Sequence, residues 1–179
     1  MWNLQKTITS KKSTQLDVEP VYTFRGHAGP VLCLCVSGAG DFCFSGGADG
    51  AVRCWNLPPP NIDPYDTYDA SVMFAVLEGH TDAVWRLAYS PARQQLLSCA
   101  ADGAVKLWSP GEGKLVLTVG EEGAVPTCCA WLTGDLGHFV VSYNTAACII
   151  YDAETGAVVN RLDTAQDPVC PALRSSNRI

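Results

Sequence analysis

The sequence predicts an all-β repeat protein built from four-stranded antiparallel units. Three observations carry that reading. The octet "DGAVRCWN" from Asp49 returns as "DGAVKLWS" from Asp102. Around the octets, His27 and His80, Ser45 and Ser98, Asp49 and Asp102, and Trp55 and Trp108 each stand 53 residues apart, with no gap between the units. The apolar runs are short, rich in Val, Thr, Tyr, Phe and Trp, and punctuated by Gly and Pro, which favours strands over helices. A fixed self-similar period decides the architecture before any local reading.

The elements follow in chain order. Trp2, followed by Asn, lies another 53 residues before Trp55, so residues 1–24 read as the end of a preceding unit. They carry a basic loop, "KTITSKKSTQ", and an outer strand, "VYTF" from Val21. The unit at 25–78 places strands at "VLCLCV" (from Val31), "FCFSG" (Phe42), "AVRCW" (Ala51) and "VMFAVL" (Val72). Asp49-Gly50 and Asp102-Gly103 read as two-residue hairpin turns, because both residue types tolerate positive φ. The unit at 79–120 repeats the order with "AVWRLAY", "QLLSC", "AVKLW" and "KLVLTV". A degenerate unit at 121–163 has "VPTCCAWL", "HFVVSY", "CIIYD" and "AVVNRL", without Gly-His, Asp-Gly or Trp-Asn. The Pro-rich stretch at 58–70 reads as a surface loop between third and fourth strands, and 164–179 as an irregular tail.

Composition narrows the function classes. The chain has 179 residues, 47% of them apolar, and a formal charge of −6. That charge disfavours a phosphate-backbone partner, so no nucleic acid is expected. No apolar run reaches the roughly 18–20 residues of a membrane span, and "MWNLQKTITSKK" lacks the apolar core of a signal peptide. A cytoplasmic location is expected. Cys is present nine times, an odd number, mostly inside strand-like runs and without C-x-x-C or zinc-ligand spacing, which points to reduced core thiols. No cofactor or metal is expected.

Gly-His, Ser, Asp-Gly and Trp-Asn at these spacings resemble the WD repeat of β-propellers over most of residues 20–163. About three four-stranded blades plus the end of a preceding one then imply an incomplete propeller, since closure takes roughly 4–8 blades. "KKSTQLDVEPVYTFRGH", "SGGADG" and "PPPNIDPYDTYD" followed by "LEGHTDAVW" are similar to the C-terminal WD domain of the striatin family. The resemblance implies a non-catalytic scaffold, a regulatory subunit of type 2A phosphatase. Its implied partners are phosphatase subunits, a Mob-like protein and Ste20-type kinases. The family's coiled coil and its caveolin- and calmodulin-binding segments are not expected here. Membrane contact would come through partners, and uncovered blade faces could self-associate. The alternative is a truncated propeller with little independent function, or one that binds dominant-negatively.

The candidate residues divide into two sets. His27, Ser45 and Asp49, repeated as His80, Ser98 and Asp102, invite a hydrolase reading, because a nucleophile, a base and an orienting acid are what acyl transfer needs. The recurrence at a repeat spacing, each time ending in Trp55 or Trp108, favours structure instead. The WD resemblance implies a hydrogen-bonded chain from Asp to His to Ser to Trp. By the same resemblance, the residue five after each histidine, Leu32 or Trp85, projects onto a partner-binding face, with Asp82 and Arg86 beside Trp85. Inter-blade packing is the competing role for Trp85. Tyr65 and Tyr68, in the acidic loop with Asp63, Asp66 and Asp69, form a second candidate docking element.

Overall fold

A computed structural model of the chain describes residues 2–10, 13–20, 22–57, 70–132 and 137–163. Strands β1 (Trp2–Ser10) and β2 (Ser13–Pro20) form a two-stranded antiparallel hairpin. Three four-stranded antiparallel sheets follow. The first contains β3 (Val31–Val36), β4 (Phe42–Gly47), β5 (Val52–Asn56) and β6 (Met73–Leu77). The second contains β7 (Val84–Ser90), β8 (Gln95–Ala100), β9 (Ala104–Ser109) and β10 (Lys114–Gly120). The third contains β11 (Pro126–Trp131), β12 (His138–Tyr143), β13 (Ala147–Asp152) and β14 (Val158–Asp163). Each sheet keeps sequence order, as short hairpin connections dictate.

The sheets stack as blades, with β3 against β7 and β7 against β11. Two apolar cores lie between them. Phe44, Val52 and Cys54 of the first sheet meet Val84, Leu87, Leu96 and Trp108 of the second. Leu97, Cys99, Val105 and Leu107 of the second meet Cys129, Phe139, Val141, Ile149 and Tyr151 of the third. A strand covered on both faces loses the polar alternation of a half-exposed one. Accordingly β8 is buried at almost every position, whereas β12 alternates between buried and half-buried residues. Close approach at the first interface requires Gly46, where an added Cβ would lie 2.7 Å from both Cys33 Sγ and Val84 Cγ1.

The structure departs from the sequence reading in three places. No strand forms at residues 22–24. The β1–β2 ladder ends at Trp2↔Pro20, and Pro20 has no N–H to extend it. Tyr22 is instead buried, and Phe24 packs edge-on to Trp55 at a 5.4 Å centroid distance. The basic stretch expected as a loop is mostly strand, in β1 and β2, with residues 11–12 outside the described set. The Asp-Gly pairs do not sit together at the hairpin corner. Gly50 N donates to Gly47 O, so Ala48 and Asp49 make the turn and Gly50 follows at φ +75°. Gly103 N donates to Ala100 O with Gly103 at +83°, giving the same three-residue loop. Only the glycine takes positive φ, which leaves the aspartate free to aim its carboxylate inward. The loop 58–70, except for Ala70, and the tail 164–179 lie outside the described residues. No helix among the described residues is long and apolar enough to cross a membrane.

Candidate functional site

The repeated polar residues come together in both of the first two blades. In the second, Trp108 Nε1 donates to Ser98 Oγ at 2.7 Å, and Ser98 Oγ lies 2.7 Å from His80 Nε2. His80 Nδ1 donates to Asp102 Oδ2 at 2.8 Å. With Nδ1 carrying the proton, Nε2 accepts from the serine hydroxyl, and the chain runs in one direction from indole to carboxylate. Asp102 also accepts from Thr81 N at 3.0 Å and Ala104 N at 3.0 Å. The first blade repeats this arrangement. Trp55 Nε1 to Ser45 Oγ and Ser45 Oγ to His27 Nε2 are both 2.8 Å, and His27 Nδ1 to Asp49 Oδ1 is 2.9 Å. Arg53, on β5, adds a 2.9 Å bond to Asp49 Oδ2. The tetrads tie each Gly-His loop, second strand and third strand into one unit.

Electrostatics follow from burial and these bonds. Burial alone would raise the Asp102 carboxyl, but hydrogen bonds from Ala104 N, His80 and Thr81 N outweigh it and hold the acid below its ordinary range. Asp49 is lowered more strongly, its burial likewise outweighed by bonds from His27, Ala28 N and Ala51 N. Burial pushes His80 down, against the pull of Asp102. An Asp–His–Ser relay could in principle activate a hydroxyl. Here Ser98 is 0% exposed and Ser45 3%, and a tryptophan indole is bonded to each hydroxyl. No face of either serine is open to an acyl substrate.

The third blade builds the same ties from different residues, and sequence reasoning missed them. Register places Tyr143 where the second blade has Ala100, and Tyr151 where it has Trp108. The two phenol oxygens are 2.9 Å apart, both residues buried. Burial, together with the shared bond, pushes Tyr143 far up. Asn144, in the hairpin turn, accepts from Val125 N at 2.9 Å through Oδ1 and donates its own N–H to Val125 O at 3.0 Å. This does the work of the missing aspartate. Tyr151 stood out in the sequence, but Asn144 offered only its turn position as a signal.

The positions singled out as partner-binding share a structural cause. In all three blades a β-bulge interrupts the innermost pair, between Val31 and Cys33, Val84 and Arg86, and Pro126 and Cys128. Leu32, Trp85 and Thr127 are the extra residues. A bulge re-aims the side chain it carries. Leu32 is 46% exposed, and Asp82, Arg86 and Thr127 are exposed. Trp85 is half-buried. Its Nε1 donates to Pro126 O at 3.0 Å, while Trp131 Nε1 returns a 3.1 Å bond to Ala88 O. The two indoles stitch the second and third blades reciprocally, so Trp85 does serve inter-blade packing. Thr127, unmarked in the sequence, completes the row. Tyr65 and Tyr68 lie outside the described residues.

The eight described cysteines are free, with Cys43, Cys54, Cys99 and Cys129 buried. Burial raises Cys33 to about 11 and Cys54 to about 12, so these thiols are inert packing groups.

Stacked four-stranded sheets with repeated Asp–His–Ser–Trp chains define a WD-repeat protein. The WD domain, G-beta repeat family matches residues 18–56 and 72–109, the two blades that carry tetrads. Within that class, the chain belongs to the striatin family. It is 50% identical over its whole length to Striatin-3 of Mus musculus and 47% identical to Striatin of Rattus norvegicus. To Striatin-4 of Homo sapiens it is 43% identical over 92% of the chain. It spans only 22–23% of the length of these relatives. Among solved structures, the RRP9 WD40 repeats match 80% of the chain and cover 41% of that protein, at a TM-score of 0.66 and 18% identity. That likeness shows the fold alone.

Proposed function

We propose that the chain is a non-catalytic protein-interaction scaffold, contributing a WD-repeat surface of striatin type to phosphatase 2A–kinase assemblies in the cytoplasm. The observation that carries this reading is the row Leu32, Trp85 and Thr127. The same bulge presents each residue, and hydrogen-bonded blades hold the row rigid behind it. Asp82 and Arg86 frame Trp85 with opposite charges, which suits a polar rim around an aromatic anchor. Candidate partners are phosphatase 2A subunits, a Mob-like protein and Ste20-type kinases, and membrane contact would be indirect. The buried serines support the non-catalytic half of the reading.

The test is affinity purification of the 179-residue chain from cytosol with identification of its companions by mass spectrometry. The comparison is Asp82→Lys/Arg86→Glu, which alters exposed residues only. Wild type should recover the named partners, and the double variant should lose them at an unchanged melting temperature. Equal recovery by both would sink the assignment of the surface. A second reading, a partial propeller with little independent function, draws on the apolar row exposed on β3. It predicts recovery of chaperones alone.

A further inference from the structure

The sequence holds two Asp-Gly pairs, Asp49-Gly50 and Asp102-Gly103, and no Asn-Gly. Asp-Gly is the dipeptide in which an aspartate rearranges most readily, because glycine has no side chain to shield its nitrogen. In both pairs the reacting groups are held apart. Asp102 Oδ2 accepts from His80 Nδ1 at 2.8 Å and from Thr81 N at 3.0 Å, and Oδ1 accepts from Ala104 N at 3.0 Å. Gly103 N, the atom that would attack, donates instead to Ala100 O at 3.3 Å. Asp49 is held likewise by His27, Ala28 N and Ala51 N, while Gly50 N donates to Gly47 O at 3.2 Å. The Asp49 and Asp102 side chains are only 13% and 9% exposed. The same bonds keep both carboxyls ionised, the poorer electrophile.

The third blade supplies the contrast. Counted from the same register, Thr145 and Ala146 hold the places of Asp102 and Gly103. Ala146 keeps the positive backbone angle, φ +62° against +83° for Gly103, in a region that glycine adopts more easily. This blade has no Gly-His histidine. The pair that rearranges therefore occurs in the two blades with a histidine to hold it, and is absent from the blade without one, although the turn keeps its shape.

We infer that Asp49-Gly50 and Asp102-Gly103 are dormant isomerisation sites, kept as aspartate by the histidine bond of each tetrad and converted to isoaspartate when a blade opens. The chemistry needs water alone. The glycine nitrogen attacks the aspartate Cγ, an N–C bond forms, and the protonated carboxyl and the amide N–H together lose one water to give a cyclic imide. Water then adds to the main-chain carbonyl of the imide and breaks its bond to that nitrogen, so the chain now runs through the side chain. The mass is unchanged, but the backbone is one carbon longer and the free carboxylate sits directly on Cα. In the second blade that shortened acid no longer reaches His80 and Thr81 N, so the opened blade does not close its tetrad again. Each tetrad is thus a one-way record of opening. None of these residues belongs to the bulge row, so the sites stand whether or not that row binds a partner.

The test incubates the intact 179-residue chain at neutral pH for weeks, folded and in urea. Isoaspartate is counted by methyl transfer from S-adenosylmethionine with an isoaspartyl methyltransferase, and assigned to each site by electron-transfer fragmentation of its peptides. Folded wild type should form it at least about tenfold more slowly than the urea-unfolded chain at both sites. His80→Ala should speed conversion at Asp102 by about tenfold or more and leave Asp49 unchanged, the effect of one hydrogen bond to a charged group. His27→Ala should give the mirror pattern. The unaltered site in each variant reports global unfolding, since a chain that does not fold converts at both. His27→Ala, at the less buried tetrad, carries the comparison if His80→Ala fails to fold. Equal rates in folded and unfolded wild type would overturn the inference. So would a folded histidine variant whose two sites convert alike.

Discussion

Replacing Ser98 with alanine removes one oxygen from the centre of the second tetrad. That hydroxyl accepts from Trp108 Nε1 at 2.7 Å and reaches His80 Nε2 at the same distance. Ser98 is 0% exposed, and the His80 and Trp108 partners are buried, so water has little route to replace it. Two polar atoms would be left unsatisfied, each costing about 1–3 kcal/mol. Partial relaxation of the indole brings the sum to about 3 kcal/mol. For a chain of this size, about 2–4 °C of melting temperature is lost per kcal/mol, so the midpoint should fall by roughly 6–12 °C. Ser45→Ala should cost less, because the His27–Ser45 bond is only partly buried, whereas the His80–Ser98 bond is fully buried. Thermal unfolding followed by circular dichroism measures both. A shift below about 2 °C for Ser98→Ala would refute the account of the tetrad as a buried, fully satisfied chain.

Three further outcomes are expected. Burial holds the folded His80 pKa below the unfolded value of about 6.5, so the neutral imidazole favours folding above that pH and stability falls as pH drops below it. Melting temperature should decline from pH ~7 to ~5, and His80→Gln should flatten that segment; identical wild-type midpoints at the two pH values would contradict this. The depressed Asp49 and Asp102 add stability that is present above pH ~4 and lost on further acidification, in wild type and His80→Gln alike for Asp49. Gly46→Ala would drive a methyl against Val84 and Cys33 at the first blade interface, and overpacking of this kind costs about 1–3 kcal/mol. Gly111→Ala, with no atom within 4 Å of the added carbon, serves as the neutral control. Equal urea midpoints for the two would argue against tight packing at Gly46.

Most strands were legible because each is a short apolar run bounded by turn residues, and β12 and β8 fall where "HFVVSY" and "QLLSC" place them to within a residue. The tetrads were legible because side-chain chemistry repeats at a fixed spacing. Less visible was anything set by geometry between elements. The turn over Ala48–Asp49 differs from an Asp-Gly corner by one residue, a choice made by the aspartate's bonds to the Gly-His loop. Residues 22–24 carry strand-like letters, but Pro20 and the end of its partner strand deny them a ladder. The Tyr143–Tyr151 bond and the Trp85–Trp131 exchange join residues whose proximity appears only once the strands are paired and the blades stacked. Thr127 stands out only through a bulge, which no single residue type announces.

The tetrads clasp the Gly-His loop, the second strand and the third strand of a blade, and leave the fourth strand outside the clasp. That strand is held by its ladder, by core residues such as Leu77 and Val119, and by side-chain bonds such as Lys106 to Thr118, and its pairing slips by a residue in every blade, at Cys54/Trp55, Leu115/Leu117 and Ile150/Tyr151. The rim of this architecture therefore accommodates connections of different length. The connection into the fourth strand is four residues long in the second blade, between Ser109 and Lys114, and reaches from Asn56 to Met73 in the first. Both lengths are compatible with the same lock of loop and two strands. A tag, a phosphorylation motif or a cleavage site grafted into that connection would leave the lock untouched, which makes the blade rim the natural place for such a protein to acquire new regulation.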